Sequence, residues 1–271
     1  MSESRPSDLD TARPSERGSH PHAATAVRRV LIAEDGQFNQ TLIATILRRQ
    51  GCQTVLAENG VVAVSEALAA MAGPGPFDLI LMDMQMPEMD GYCATRILRD
   101  KGYSSPIVAL TASDKDGDRE RCLEAGCDDY LTKPISRQAL LAVLQSYLEP
   151  EHAAPFSAAS PEKEQVAGLQ NASSGPIFST LKDDVEMQAV VAGFVERLAA
   201  FTNDLQAAGK DRDTPTLARL AHQLKGAAGG YGFMPVSDAA ARLETTIADG
   251  AKDADISKAM EYLIGICDRV K

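Results

Sequence analysis

The sequence predicts a doubly wound α/β domain on a five-stranded parallel sheet, followed by an all-α four-helix bundle. Residues 27–148 alternate short apolar runs with amphipathic stretches, a pattern typical of βαβ units around a parallel sheet. After residue 177 the apolar residues recur every three or four positions, which is typical of helices that bury one face. At 271 residues the chain is long enough for two cores of ordinary size.

Composition predicts the domain boundaries. Residues 1–26 are rich in Ser, Arg, Pro and Asp and are predicted to be a disordered tail. Residues 149–176 contain four prolines among Ala, Ser and Glu. We therefore predict a flexible linker there, between an α/β domain at 27–148 and a helical bundle at 177–271. Such a linker has a reach on the order of 30 Å, which is enough for the two domains to meet.

Each apolar run of the α/β domain defines a strand, and each amphipathic stretch defines the helix that follows it. The predicted strands are residues 29–33, 53–57, 77–82, 107–110 and 129–131, and the predicted helices are residues 38–49, 61–71, 91–100, 116–125 and 137–148.

The first helix of the bundle is predicted from an apolar stripe with a spacing of four and three residues in turn. The stripe consists of Met187, Val191, Phe194, Leu198, Phe201 and Leu205. Thr214 is interpreted as the cap of the second helix, with Pro215 at its first position. Residues 237–248 and 256–270 complete the bundle as its third and fourth helices.

Charge and composition exclude several classes of function. The chain has 27 Lys+Arg against 38 Asp+Glu, which argues against nucleic acid as a partner because phosphate backbones require clustered cations. No apolar run is long enough to cross a bilayer, and the N-terminus lacks an apolar signal-peptide core. We therefore expect no membrane insertion and a cytoplasmic location. The five cysteines lack CxxC spacing, so reduced structural thiols are expected.

Polar side chains follow four of the five predicted strands, at the edge where functional groups of doubly wound folds lie. They are Glu34 with Asp35, Asp83, Thr111 and Lys133. One acidic residue after a strand is commonly only a helix cap, but four such strand ends are harder to explain in that way. Three converging carboxylates require a cation, and oxygen ligands of this kind suit Mg²⁺. A carboxylate beside a metal ion and a lysine is equipped for phosphoryl transfer.

The α/β segment closely resembles the receiver domain of bacterial two-component signalling over about residues 28–148. The motifs that carry the resemblance are V-L-I-A-E-D-G-Q-F-N-Q, D-L-I-L-M-D-M-Q-M-P-E-M-D-G, P-I-V-A-L-T-A and E-A-G-C-D-D-Y-L-T-K-P-I. The resemblance implies that Asp83 is the phospho-acceptor. It also implies that Mg²⁺ (or Mn²⁺) binds to Glu34, Asp35, Asp83 and the backbone carbonyl of Gln85.

The same resemblance assigns roles to residues around the pocket. Thr111 and Lys133 are expected to contact the phosphoryl group, and the peptide bond before Pro134 is expected to be cis. Tyr130 matches the aromatic residue of a phosphorylation switch that changes the surface of the last two helices and the last strand. Half-buried packing is the alternative role for a tyrosine at the edge of a sheet.

His222 lies in the second predicted bundle helix, about 200° around the helix from the inward-facing Leu224. It is therefore predicted to be exposed, with Lys225 and Gly226 on the same face. A glycine inside a helix costs about 1 kcal/mol relative to alanine, and Gly226 could give clearance for the aspartate of another domain. Lys225 would neutralise a phosphoryl group. Taken alone, a surface histidine is more often inert.

The bundle resembles the histidine-containing phosphotransfer (Hpt) domain over about residues 177–271. The motifs are A-H-Q-L-K-G, Y-G and R-L-E. The resemblance implies that His222 carries a phosphoryl group. Gly229 and Gly230 depart from the family pattern and are expected to weaken the end of the helix.

A receiver joined to an Hpt domain is similar to the carboxyl-terminal part of hybrid sensor histidine kinases. This combination implies a phosphorelay protein whose partners are a sensor histidine kinase, another receiver or another Hpt protein. No segment resembles the ATP-binding domain of a kinase, so we expect a phosphotransfer intermediate and no kinase enzyme. One alternative is a Mg²⁺-dependent phosphatase, which is disfavoured because Gln85 stands where its second acid is needed. The other is a phosphorylation-switched interaction module without onward transfer.

Overall fold

The computed structural model describes residues 27–112, 116–148 and 175–271. The predicted disordered tail and nearly all of the predicted linker lie outside these ranges, as do His20, His22 and His152.

Among the described residues the strands form one parallel sheet in the order β2-β1-β3-β4-β5. The strands are β1 (Arg29–Ala33), β2 (Gln53–Ala57), β3 (Leu79–Asp83), β4 (Ile107–Thr111) and β5 (Asp129–Thr132), and the helices that follow them are α1 (Gln37–Arg49), α2 (Gly60–Ala72), α3 (Gly91–Asp100), α4 (Asp116–Glu124) and α5 (Arg137–Leu148). The direction in which successive strands are added to the sheet reverses between β1 and β3, which is the point where doubly wound folds place their functional groups. The predicted α/β fold class is confirmed.

Alternating burial explains why both faces of this sheet are covered by helices. In β1, Val30 and Ile32 belong to the apolar cluster that contains α1 and α5. Leu31 and Ala33 belong to a second cluster that contains α2 and α3. Because successive side chains of a strand point to opposite faces, a strand that is apolar at every position must be buried on both sides.

The C-terminal segment forms a bundle of four helices within residues 175–271, as predicted. They are α6 (Gln188–Lys210), α7 (Thr214–Gly230), α8 (Met234–Ala248) and α9 (Asp253–Cys267). The cap of α7 is Asp213 and not Thr214, because Asp213 Oδ1 accepts a hydrogen bond of 3.1 Å from the backbone N–H of Thr216. Helix α8 begins three residues before its predicted start, at a Met-Pro pair that suits the first turn of a helix.

The bundle packs against the first helix of the α/β domain. Helix α1 contacts α6 and α7, and the apolar cluster beneath α1 continues without interruption into the core of the bundle. Phe38 of α1 lies at this junction, with its ring centroid 4.8 Å from that of Phe194 and 5.5 Å from that of Phe201. No described helix is both long and apolar enough to span a bilayer.

Candidate functional site

Three carboxylates meet at the end of the two central strands. Each of Glu34, Asp35 and Asp83 offers an oxygen, and these oxygens lie within 4.8 Å of one another. The register explains the convergence: Ala33 of β1 is paired with Met82 of β3, so Glu34 and Asp83, which follow them, lie side by side at the end of these strands. Burial and the charge of Glu34 raise the pKa of Asp35, and burial also raises that of Glu34. The cluster therefore favours a cation.

Lys133 supplies part of that positive charge. Its Nζ lies 2.6 Å from Asp83 Oδ2 and 2.8 Å from Glu34 Oε2, and its side chain is 2% exposed. Burial alone would lower the pKa of Lys133, but Asp83 and Glu34 raise it above its usual value. The lysine is therefore a fixed positive charge beside Asp83. The Lys133–Pro134 peptide bond is cis, as the resemblance implied.

Nearby donors position two further oxygens of the cluster, and a third oxygen has no donor in the described part of the chain. Glu34 Oε1 accepts hydrogen bonds of 3.1 Å from the backbone N–H of Gly36 and from Asn39 Nδ2. Asp83 Oδ1 accepts one of 3.0 Å from the backbone N–H of Gln85. Asp35 Oδ1 is buried and has no hydrogen-bond partner among the described residues. An orphaned carboxylate oxygen beside two further carboxylates fits a divalent metal ion with oxygen ligands.

Two other predicted residues lie on the neighbouring strands β4 and β5. Thr111 ends β4, is buried, and accepts a hydrogen bond of 2.7 Å through its backbone carbonyl from the N–H of Lys133. Tyr130 is half-buried in β5 and packs against the apolar cluster that contains α2 and α3, with the Arg119 guanidinium 5.9 Å from its ring centroid.

His222 of α7 is hydrogen-bonded to a carboxylate of α8. Its Nδ1 lies 2.8 Å from Glu244 Oε1, and Lys225 Nζ donates to Glu244 Oε2 at 2.9 Å. Although partial burial opposes it, the hydrogen bonds from His222 and Lys225 lower the pKa of Glu244 to about 2. An ionised carboxylate only accepts hydrogen bonds, so Nδ1 of His222 carries a proton, and in the neutral ring Nε2 has the free lone pair.

The prediction that His222 is exposed was wrong. Its side chain is 11% exposed, and Nε2 is buried without a hydrogen-bond partner among the described residues. Helical periodicity correctly predicts that His222 faces away from the core of its own bundle. On that side of α7, however, Gln223 and Gly226 contact the α/β domain, so the surface is covered.

The residue after His222 reaches directly into the carboxylate cluster. Gln223 Nε2 donates a hydrogen bond of 2.6 Å to Asp35 Oδ2, the other oxygen of the carboxylate with the orphaned atom. Gly36 lies beneath the same side chain, since a Cβ on Gly36 would lie 3.5 Å from Gln223 Cγ. His222 directly precedes Gln223 on α7. The phosphotransfer histidine candidate and the acidic pocket are thus adjacent.

Three glycines of α7 allow this close approach. A Cβ on Gly226 would lie 3.3 Å from Lys133 Cδ, one on Gly229 would overlap Pro134, and one on Gly230 would lie 2.7 Å from Leu42 Cδ2. Gly229 and Gly230 were expected to weaken the helix end, but α7 continues through Gly230. Their lost helix propensity is offset by the contact that the absent side chains permit.

Comparison with known proteins identifies both domains. Residues 30–145 match the family profile of the response regulator receiver domain, and residues 189–271 match that of the Hpt domain. The chain belongs to the response regulator receiver family and also carries an Hpt domain. Both are phosphotransfer modules, and together they make this chain a two-component phosphorelay protein.

Several curated relatives share one or both domains. The sensor histidine kinase GacS of Pseudomonas protegens is 31% identical over 265 residues, which are 95% of this chain and 28% of GacS. GacS of Pseudomonas syringae is 31% identical over 244 residues, 26% of its length. The chain therefore spans about a quarter of the GacS relatives. The two-component response regulator ORR41 of rice (Oryza sativa) is 40% identical over 121 residues, which are 44% of this chain and 93% of ORR41.

Solved receiver structures are also similar. The receiver domain of the sensor histidine kinase PA1611 of Pseudomonas aeruginosa, solved with a magnesium ion in its active-site cleft, is 42% identical. That match covers 46% of this chain and 99% of the PA1611 receiver, with a TM-score of 0.41. A chain in the co-crystal structure of the Saccharomyces cerevisiae phosphotransfer protein Ypd1 with the receiver domain of Ssk1 is 33% identical. The match covers 48% of the present chain and 95% of the matched chain, with a TM-score of 0.42.

The receiver–Hpt junction contains residues to which sequence reasoning gave no role. Glu244 was noted only as part of the R-L-E motif, and Gln223 only as part of A-H-Q-L-K-G. Their charge and hydrogen-bonding capacity were visible, but their partners lie 22 and 188 residues away along the chain.

Proposed function

We propose that this chain is a phosphorelay intermediate in which Asp83 accepts a phosphoryl group and exchanges it with His222. It does so without an ATP-dependent kinase step of its own. The observation that carries the proposal is the state of His222: Nδ1 is bonded to ionised Glu244, which leaves Nε2 as a nucleophile on a helix that contacts the receiver pocket. A histidine with only a structural role would be expected to have both ring nitrogens hydrogen-bonded.

Asp83 is the proposed acceptor because it combines a buried carboxylate with a paired lysine. Glu34, Asp35, Asp83 and the Gln85 carbonyl would bind Mg²⁺ or Mn²⁺, which neutralises negative charge on the transferring group when bound. Lys133, which now contacts Asp83 Oδ2, would pair instead with an oxygen of the phosphoryl group. The Thr111 hydroxyl, at the adjoining strand end, would donate a hydrogen bond to another oxygen.

The exchange with His222 balances without a further reactant. Nε2 of His222 attacks the phosphorus of the aspartyl phosphate and forms a P–N bond. The P–O bond to Asp83 breaks, and the carboxylate keeps the electron pair. Glu244, which is bonded to both His222 and Lys225, would keep the proton on Nδ1 and stabilise the positive charge that develops on the ring. Lys225 would pair with the phosphoryl oxygens.

The proposed partners follow from the same chemistry. A sensor histidine kinase, or another receiver or Hpt protein, would supply or remove the phosphoryl group. Each such partner presents either a histidine to Asp83 or an aspartate to His222.

Transfer from a labelled donor tests the proposal. Wild type, Asp83→Asn and His222→Gln are each incubated with labelled acetyl phosphate and Mg²⁺, with Glu66→Gln on the exposed face of α2 as a control. Aspartyl phosphate is alkali-labile and phosphohistidine is acid-labile, so the two products are separated chemically. We expect both products in wild type and the control, only aspartyl phosphate in His222→Gln, and neither in Asp83→Asn.

Two results would contradict this proposal. Labelling that persists in Asp83→Asn would remove Asp83 as the acceptor. Labelling and onward transfer that are unchanged in His222→Gln would remove the relay step and favour the phosphorylation-switched interaction module.

A further inference from the structure

We propose that an arginine–acid latch binds the Hpt domain to the receiver of the same chain, so that His222 exchanges phosphoryl groups with its own Asp83 and is withheld from other receivers. The latch consists of Arg49 and Arg137 of the receiver with Asp184 and Glu186 of the Hpt domain. This inference rests on the proposed function for the transfer step, but the closed state that it describes can be measured separately.

The latch is a short network of ion pairs at the edge of the interface. Arg137 Nη1 donates to Asp184 Oδ2 at 3.0 Å, and Arg137 Nη2 donates to Glu186 Oε2 at 2.6 Å. Arg49 Nη1 lies 3.6 Å from the same Glu186 oxygen. One guanidinium that binds two carboxylates is more specific in geometry than a single exposed pair. The first residue of α5 and the last residue of α1 therefore face one acidic turn.

The acidic turn is held in shape by hydrogen bonds within the Hpt domain. Asp184 Oδ1 accepts a hydrogen bond of 3.0 Å from the backbone N–H of Glu186, and its backbone carbonyl accepts one of 2.9 Å from Met187. Ser179, upstream, donates at 2.6 Å to the carbonyl of Tyr231 at the end of α7. The turn is thus fixed to the helix that carries His222. Ordering it costs little when the domains meet.

The contacts around Phe38 and along α7 explain why His222 is shielded in the closed state. The Tyr231 hydroxyl donates to the Phe38 carbonyl at 3.1 Å, and the Arg197 guanidinium lies 5.2 Å from the Phe38 ring centroid. Gln223 on Asp35 and Gly226 beside Lys133 add contacts at the first and fourth residues after His222, whose Nε2 is buried. A second receiver cannot reach a buried Nε2 until the first contact opens.

The latch selects the chain's own receiver for two reasons. Its four residues lie outside the acidic pocket, so a foreign receiver with an intact pocket must also provide both arginines at the ends of these two helices. The tether adds an effective concentration in the millimolar range, which favours the domain already attached.

Hydrogen exchange measures the closed state without any phosphoryl transfer. We expect the amides of α1 and α7 to exchange about threefold to tenfold faster in Arg137→Glu than in wild type, because the latch is lost and an acid faces Asp184. Arg96→Glu, an equal charge change at an exposed site on α3, should leave exchange in α1 and α7 unchanged. Equal protection in wild type and Arg137→Glu would overturn the latch.

A mixing experiment tests whether transfer occurs within one chain. Wild type charged by acetyl phosphate should form phosphohistidine at a rate independent of protein concentration. A His222→Gln donor mixed with an Asp83→Asn acceptor should form it at least about tenfold more slowly, since both are closed on themselves. Adding Glu186→Arg to the donor opens its latch and leaves its receiver intact. Adding Arg137→Glu to the acceptor opens its latch and leaves its Hpt domain intact. This mixture should regain much of the rate.

The controls and contrary outcomes separate this inference from the proposed function. Glu261→Arg in the donor and Arg96→Glu in the acceptor alter exposed residues and should not accelerate transfer. Equal rates for the first mixture and wild type, or a dimer mass by light scattering, would show that the contact joins two copies. Absence of phosphohistidine in wild type would contradict the proposed function, while hydrogen exchange would still test the closed state.

Discussion

Glu244 determines what His222 can do, although it would never contact a substrate. Its two oxygens are divided between His222 Nδ1 and Lys225 Nζ, at 2.8 and 2.9 Å. The pair of donors keeps Glu244 ionised, and the ionised carboxylate keeps the ring proton on Nδ1. Glu244 is therefore a positioning residue: it fixes the tautomer and orientation of His222, the proposed nucleophile, much as a carboxylate orients a metal-binding or catalytic imidazole.

Replacement of Glu244 by Gln should reduce both stability and transfer. Because the pKa of Glu244 is lowered to about 2 in the folded protein, its stabilising contribution is present above its ordinary pKa and is lost as the pH falls towards 2. We expect Glu244→Gln to lower the free energy of unfolding by about 1–2 kcal/mol near neutral pH, and by less near pH 3. Urea unfolding at both pH values measures this difference.

Formation of phosphohistidine should also slow by about tenfold or more in Glu244→Gln, since the ring loses its charged partner. Glu261→Gln, at an exposed position of α9, is the matched control. A difference in stability between wild type and Glu244→Gln that stays constant from neutral pH to pH 3 would contradict the ionised, hydrogen-bonded state of Glu244.

At the scale of elements, α7 serves two partners with two faces. One face fills the core of the bundle with Leu217, Leu220 and Leu224. The other presents Gln223 and the glycines to α1 and to the loop after β5. Glycine lowers the stability of the helix in exchange for a close approach to the receiver.

Gly229→Ala separates these two effects. The added methyl group would collide with Pro134, so we expect faster hydrogen exchange in α1, although the helix itself gains up to about 1 kcal/mol in propensity. Gly193→Ala in α6 is the control, because a Cβ there meets nothing within 4 Å. It should stabilise its helix and leave exchange in α1 unchanged. Similar effects of the two substitutions on α1 would argue against a close contact at Gly229.

At the scale of the whole molecule, the contact between domains combines an apolar centre with a charged edge. The aromatic cluster around Phe38 is buried, whereas the latch is partly exposed, with 36% of the Arg137 side chain and 58% of the Glu186 side chain accessible. Exposed ion pairs are screened by salt and buried apolar contacts are not. The two parts of the interface should therefore respond differently to ionic strength.

Salt should open the closed chain part of the way. Raising NaCl from about 0.05 M to about 0.5 M shortens the screening length from roughly 14 Å to roughly 4 Å. We expect a larger radius of gyration by small-angle scattering and faster exchange in α1 of wild type. In Arg137→Glu the change should be much smaller. A radius of gyration for wild type that is independent of salt would show that the latch contributes nothing to closure.

Sequence reasoning located the acidic pocket because parallel strands end at a common edge, so residues after β1, β3 and β5 must converge. It also found the stripe of α6 and the turn of His222 away from the bundle core. It missed the burial of His222, because helical periodicity describes one element and contains no information about a second domain. The same limit applies to Gly229. Its low helix propensity predicted a weak helix end, whereas in the structure the absence of a side chain allows the contact with Pro134.

The hydrogen bond from Gln223 to Asp35 has a consequence for the order of events. While α7 lies over the pocket, the donor histidine of another protein has no path to Asp83, because it would need the space that α7 occupies. In the proposed relay, loading by a protein donor and transfer to His222 would therefore alternate, and each cycle would require one opening and one closing. A small acyl phosphate escapes this requirement. In the proposed relay, the frequency of domain opening would therefore limit how often a protein donor reaches Asp83.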